Sequence, residues 1–340
     1  MAVQIIRRRS FVLASSALLL ASGAVPVGAS GGKAVTLGAL KFTSSGPVFL
    51  ALERGYFAEE GIDATITFFQ DAPSVAAATA AGGVSFGITA LTAAFYNLAS
   101  QGRLQIIAGQ SQEKPGHSGN LILVQQGSYA AGHTTLDKLF ELPFGLTQLG
   151  SPSHYMLGQL AEISGFPVKD LNIRSFQTLP NLVAALKSGY VDWAIIAPPI
   201  STDLITAGAV VSIGPFSDFG SYQFGAAFAS NDLLAADPDL AQAFLRAYRK
   251  GLQDYAQIVA HPDTAEARSA AAAVGHYVYP DLPAEKAAGL VLASALYVDP
   301  DGQLDVEDIA RQIKWYLDNG MVKTGPNIDQ ILRLDLTDWP

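Results

Sequence analysis

Short β-rich runs alternate with helical segments twice along this chain, and no Pro/Gly-rich linker separates the two series. Residues 35–40, 64–68, 85–88 and 104–108 read as the first set of strands. Between them, residues 47–53 read as a helix entered through Gly46 and Pro47, because proline in the first helical turn has no amide hydrogen to leave unpaired. Gly55 closes that helix, residues 56–60 add a turn or two before Gly61, and residues 74–81 and 91–101 supply two more helices. The second set of strands is 121–125, 144–147, 171–176, 193–197 and 210–213, with helices over 153–164, 179–188 and 200–207. Two such series imply two mostly parallel sheets flanked by helices, an α/β fold. After one more apolar run at 224–229 the chain reads as helical almost to its end. Leu240, Phe244, Ala247, Leu252 and Tyr255 form a stripe that lays one face of a helix over 238–259 on a core.

The 340 residues are 49% hydrophobic and 15% charged, enough apolar material for two cores of domain size. With no flexible tether, the connection between the two lobes is expected to be made of strands. The expected division is residues 34–117 plus 226–340 for the first lobe and 118–225 for the second.

The formal net charge is −9, and because the three basic residues before position 30 are Arg7, Arg8 and Arg9, the rest carries 18 Lys and Arg against 30 Asp and Glu. A balance of −12 repels phosphate backbones, so a nucleic-acid partner is not expected. The absence of cysteine excludes disulfides, thiolate metal sites, cysteine nucleophiles and a lipid-modified N-terminal cysteine. At the N-terminus, Arg8, Arg9, Ser10, Phe11 and Val12 precede a weakly apolar stretch and resemble a twin-arginine export signal. The run over 11–24 is short and rich in Ser and Gly for a membrane anchor, and Pro26 interrupts any helix continued beyond it. Cleavage is expected after Ala29, with Ala24 the alternative, so residues 1–29 form the signal.

Residues 47–62, PVFLALERGYFAEEGI, resemble the opening of the nitrate, sulfonate and taurine class of solute-binding proteins, which includes thiamine-pyrimidine binders. Gly145, Leu146 and Thr147, followed by GSPSHY at 150–155, are similar to that class's second-lobe strand, loop and helix start. Leu182, Ala185, Leu186, Gly189, Val191 and Asp192 match its pattern of a helix feeding a strand at the cleft. Ile313, Trp315, Asn319 and Gly320 fit its closing helix, so the resemblance runs from about Ala34 to the C-terminus. It implies the two-lobed periplasmic binding protein fold (type II), with two crossing strands as the hinge. It further implies a periplasmic receptor of an ABC importer, monomeric and free of a lipid anchor. Such a receptor captures a small sulfonate, nitrate or carboxylate-type anion and delivers it to a permease in the inner membrane, with no catalysis and no cofactor. The alternatives are a pyrimidine-precursor binder or synthase of the same fold and a ligand sensor without transport. The synthase depends, as the family implies, on a cysteine-rich iron motif that this chain lacks.

Ligands of open α/β sheets sit beyond the carboxyl ends of the strands. In the first lobe that rule selects Lys41, Thr43, Ser44 and Ser45, then Thr89, Leu91 and Thr92, then Gln110. In the second it selects Thr147, Ser151, Ser153 and His154, with Ala197 and Pro198 beyond the strand that follows Asp192. Helix starts among these residues offer free amides and a positive dipole end to an anion. Each serine reads equally as a helix cap, Lys41 as a solvated strand-end charge, and His154 as a structural residue. Phe42, Phe69, Tyr96, Tyr155, Tyr222 and Phe224 either wall a ligand or fill the core.

No GxSxG, GxGxxG, Walker or HExxH motif is present, and His117, His133, His154, His261 and His276 lack metal-ligand spacing. The acidic loop at 299–305 does not make a calcium site, because Tyr297 takes the first ligand position and Pro300 stiffens the turn; a helix-capping loop is expected instead.

Overall fold

A computed structural model describes residues 32–117 and 119–336. The expected signal at residues 1–29 lies outside them. Twelve strands follow one another: β1 (Lys33–Ala39), β2 (Ile62–Phe68), β3 (Phe86–Ala90), β4 (Leu104–Gly109), β5 (Gln112–Glu113), β6 (Leu121–Gln125), β7 (Phe144–Leu146), β8 (Ile173–Ser175), β9 (Trp193–Ile196), β10 (Val210–Pro215), β11 (Tyr222–Gln223) and β12 (Gly225–Ser230). They build two five-stranded sheets, ordered β2-β1-β3-β12-β4 and β10-β6-β9-β7-β8.

In each sheet four strands run one way and a single strand is reversed, β12 in the first and β6 in the second. Both reversed strands are the first element after the chain has crossed from one sheet to the other. The crossings are β5 and β11, which pair antiparallel with Glu113 opposite Tyr222 and Gln112 opposite Gln223. This is the two-lobed arrangement with two crossing strands. Two residues each are too few to leave a periodic pattern, which is why the hinge strands have no sequence signature. The same brevity hides the helices Gln126–Ala130, Leu136–Leu139 and Asn231–Ala236.

Boundaries elsewhere shift for identifiable reasons. The helix expected from residue 91 begins at Ala93, because Leu91 still donates its amide to Phe224 as an extension of the sheet and Thr92 caps the helix. The strand expected over 171–176 contracts to Ile173–Ser175, since Leu171 ends a turn of 3₁₀-helix.

The first lobe is built on the helix Pro238–Ala260, whose predicted stripe is buried. Phe244 stacks on Phe86 at 4.0 Å between ring centroids, with Phe57 and Tyr248 on its flanks. Helix Gly46–Glu53 lies close against it: a side chain at Gly46 would enter the Tyr255 ring, and one at Gly251 would enter the Pro47 carbonyl. These two glycines set the depth at which the helix carrying the PVFLALERGYF stretch is seated.

Beneath the crossing strands, Tyr96, Tyr155, Tyr222, Trp315 and Tyr316 form one buried aromatic cluster. Of the aromatic residues weighed as ligand walls, Tyr96, Tyr155 and Tyr222 are therefore core, Phe69 and Phe224 pack partly on it, and Phe42 is exposed. Helix Val306–Asp318 braces this cluster from behind. Asp308, fully buried, accepts from Tyr155 Oη, the Gln223 amide and Gln312 Nε2, and Gln312 Oε1 accepts from Tyr96 Oη. One helix thus joins a first-lobe helix, a second-lobe helix and a crossing strand. Burial raises the Asp308 carboxyl above the usual range, while its donors pull it down.

Candidate functional site

The carboxyl ends of β1, β3 and β4 lie together because β1, β3, β12 and β4 are neighbours in one sheet. Gln110 ties them: its Nε2 donates to the Ser44 carbonyl at 2.8 Å, and its amide donates to Gly225. Since the Ser44 carbonyl accepts only, the amide orientation of Gln110 is settled and Oε1 points the other way, buried and without a partner among the described residues. Thr43, Ser45, Thr89, Leu91 and Thr92 are buried and Ser44 is half-buried. Thr43 Oγ1 meets Ser294 Oγ at 2.8 Å, and both hydroxyls act to lower the Tyr279 pKa against the rise that burial imposes.

In the second lobe the loop after β7 makes the corresponding helix start. Thr147, Ser151 and Ser153 are half-buried there, and the two serine hydroxyls pair at 3.1 Å. Ala197 and Pro198 are half-buried beyond β9. The two lobes touch at this level, where the Ala93 amide donates to the Gly150 carbonyl at 3.1 Å.

Three helix starts that follow strand ends at the crevice lack a side-chain cap, while the one after β3 is capped by Thr92. Among the described helices of seven residues or more, Ala72–Ala80, Ala93–Ala99, Leu179–Ser188, Pro238–Ala260, Ala265–Val278 and Val306–Asp318 carry a side-chain cap. Gly46–Glu53, Pro152–Ile163, Ile200–Thr206 and Ala284–Ser294 do not. The first three follow the carboxyl ends of β1, β7 and β9. Ser45 and Ser151 occupy the N-cap positions, yet neither side chain closes the first turn. Backbone carbonyls take some of these amides, Gly46 to Thr43, His154 to Ser151 and Ser201 to Ala197; the first-turn amides left over, at the positive end of a helix dipole, are suited to an acceptor from outside the chain.

Two residues lie differently from an inward-facing cation. Lys41 is exposed, and its ammonium sits 5.1 Å from the centre of the Phe68 ring, over the last residue of β2. His154 is 3% exposed, accepts the Gly150 amide on Nδ1 at 3.0 Å and meets the Trp315 ring edge-on. Burial lowers its pKa to about 4, so it stays neutral at pH 7 with the proton on Nε2.

Three further residues escaped the sequence reading. Asp203, in the first turn of the helix after β9, adds its negative charge to the causes that raise the Tyr279 pKa, of which burial is the largest; the strand-end rule extended by one turn finds it. Gln177 has φ 65° and donates its amide to Thr147 at 2.7 Å, and nothing in the sequence marks it. Tyr279 comes from far along the chain, where no motif points to it. The acidic loop at 299–305 is internally satisfied: Asp299 accepts the Asp301 and Gln303 amides, and Asp301 takes the Arg249 guanidinium.

The model of the NMT1/THI5-like family matches residues 43–118 and 144–265. The chain belongs to the NMT1/THI5-like family. Solved structures of similar fold include the periplasmic aliphatic sulphonate-binding protein SsuA of Escherichia coli, at TM-score 0.70 and 19% identity over 89% of this chain and 98% of that one. The periplasmic nitrate-binding protein NrtA of Synechocystis matches at TM-score 0.66 and 15% identity, over 90% and 87%. The desulfurization enzyme DszB matches at TM-score 0.58 and 14% identity, over 89% and 97%. No curated protein matches the chain significantly by sequence. This family member therefore has the periplasmic binding protein fold, which hosts both receptors and an enzyme. No helix among its described residues is long and apolar enough to cross a membrane.

Proposed function

We propose that this family member is the periplasmic receptor of an ABC importer, binding a small organic or inorganic anion of the sulfonate, nitrate or carboxylate type between its lobes. The observation that carries the reading is the set of uncapped helix starts after β1, β7 and β9, drawn from both lobes. Lobe one is assigned to residues 34–117 plus 226–340 and lobe two to 118–225, a division supported by sheet membership. Binding is stoichiometric, without turnover or cofactor. The receptor is a monomer, exported by its twin-arginine-like signal, and delivers the ligand to an inner-membrane permease.

One observation favours a second ligand class. With Lys41 turned onto Phe68 and His154 neutral, the nominated residues bring no full positive charge to the crevice. A neutral pyrimidine-like ligand suits such a site as well as an anion held by amides alone. A thermal-shift panel of alkanesulfonates, taurine, nitrate, carboxylates and pyrimidines separates the two. A ligand present at a hundredfold excess over its Kd stabilises the folded state by about 2.7 kcal/mol. A response confined to pyrimidines overturns the anion reading, and a panel with no response overturns the receptor reading for these ligand classes.

A further inference from the structure

We propose that Glu113 is a proton-sensitive hinge residue, its acid form favouring the arrangement of the crossing strands seen here and its carboxylate form favouring an opened one. Glu113 is 1% exposed and lies on β5, directly opposite Tyr222 of β11. Its Oε1 accepts the Asn120 amide at 2.9 Å and the Asn120 side-chain amide. Its Oε2 is buried with no hydrogen-bond partner among the described residues. The bare Cα of Gly119 covers that oxygen, and a Cβ there would overlap it. The carboxyl group is thus enclosed by Gly119 and Asn120, which enter β6, the first strand of the second lobe. Any rotation of that lobe about the crossing strands alters this enclosure.

A carboxylate with one oxygen unpaired in a dry site costs more than the neutral acid. Burial raises the Glu113 pKa, and the Asn120 donors only partly offset it. An opened hinge that wets Oε2 removes the penalty on the charged form. Protons therefore bind the shut form more tightly, and lowering the pH shifts the population toward it. Other ionisable groups surround the crossing strands without pairing with Glu113. Lys114 lies 4.5 Å from the centre of the Tyr297 ring, and the His117 ring packs on the same tyrosine. Tyr222 is buried on β11, and Asp308 accepts the Gln223 amide of β11. His117 and Asp308 also have shifted pKa values, so the test must separate them from Glu113.

The proposal rests on the hinge alone and needs no ligand. The chain has no cysteine, so Ala77→Cys and Ala184→Cys, both at exposed positions in opposite lobes, accept spin labels selectively. Interlobe distance distributions are recorded from about pH 5 to about pH 8, spanning a raised carboxyl titration. The expected result is a short-distance population at low pH that gives way to a longer one as pH rises. Glu113→Gln abolishes this response, His117→Gln keeps it, and Asn120→Ala, which strips a donor from the carboxylate, moves its midpoint upward by about one unit. A distribution independent of pH in the parent, an unchanged response in Glu113→Gln, or its loss in His117→Gln overturns the assignment. Should Glu113→Gln fail to fold, an unmoved midpoint in Asn120→Ala overturns it as well.

Discussion

The Gly150 carbonyl in the second lobe accepts the Ala93 amide at the start of a first-lobe helix, 3.1 Å away. Gly150 has φ +76°, and a Cβ there would lie 2.8 Å from Ala93 Cβ. Substitution therefore combines left-handed backbone strain with a clash across the lobes. Gly150→Ala is expected to cost at least about 1–2 kcal/mol in urea unfolding and to widen the molecule in solution scattering. A variant as stable and as narrow as the parent would show that this contact does not hold the lobes.

Lys41 and the crevice serines are distinguished by affinity. Because the Lys41 ammonium rests on Phe68, Lys41→Ala is expected to leave Kd for any ligand found in the panel within about twofold, a change well below 1.4 kcal/mol. Isothermal titration calorimetry reads it directly. A tenfold loss for an anionic ligand would return Lys41 to the crevice.

The paired replacement of Ser44 and Ser153 by alanine tests the helix starts themselves. Loss of one hydroxyl contact to an anion from each lobe is expected to weaken binding tenfold or more, at about 1.5–3 kcal/mol per charged hydrogen bond. Stability should change little, because Ser153 Oγ bonds only Ser151 Oγ among the contacts described and neither serine is an N-cap. Undiminished affinity, measured by the same titration, would leave the hydroxyls without a ligand role.

Much of the architecture was legible in the sequence because largely buried strands such as 104–108 and 121–125 are dense apolar runs, and helix 238–259 announces itself by spacing. The hinge was legible only as a necessity: Gln112, Glu113, Tyr222 and Gln223 form it through pairing partners that no local pattern reveals. The reach of helix Val306–Asp318 to both lobes was invisible for the same reason, since its Asp308 meets Tyr155 across more than 150 residues. At the crevice, the strand-end rule selected a group of residues that Gln110 physically gathers around Ser44. It could not tell which way Lys41 turns, because the aromatic ring that attracts its ammonium belongs to the neighbouring strand.

Tyr155→Phe probes that brace. It removes one of the donors to buried Asp308, which keeps the Gln223 amide, Gln312 and Arg311. The expected loss is about 1–3 kcal/mol in chemical denaturation. The Asp308 carboxyl, already raised by burial, should rise further, and an NMR titration of the labelled aspartate checks that direction. No loss of stability would mean that the remaining donors suffice.

His154 links stability to pH with a definite sign. Its pKa falls from 6.5 unfolded to about 4 folded because the ring is buried against Trp315. Between those values the unfolded chain binds the additional proton, so unfolding free energy rises with pH there. The histidine's full contribution is present above about 6.5 and is lost as pH falls toward 4, amounting to roughly 3 kcal/mol across the window. The raised carboxyls Glu113 and Asp308 act in the opposite sense, since their folded forms retain protons, so the net curve of the parent does not isolate the ring. His154→Asn keeps an acceptor for the Gly150 amide and removes the titration. Its unfolding free energy, measured in urea at a series of pH values, should decline less steeply than the parent's between about pH 6.5 and pH 4. Parallel curves would mean that the imidazole is protonated as readily in the folded protein as in the unfolded chain, contrary to its burial between Gly150 and Trp315.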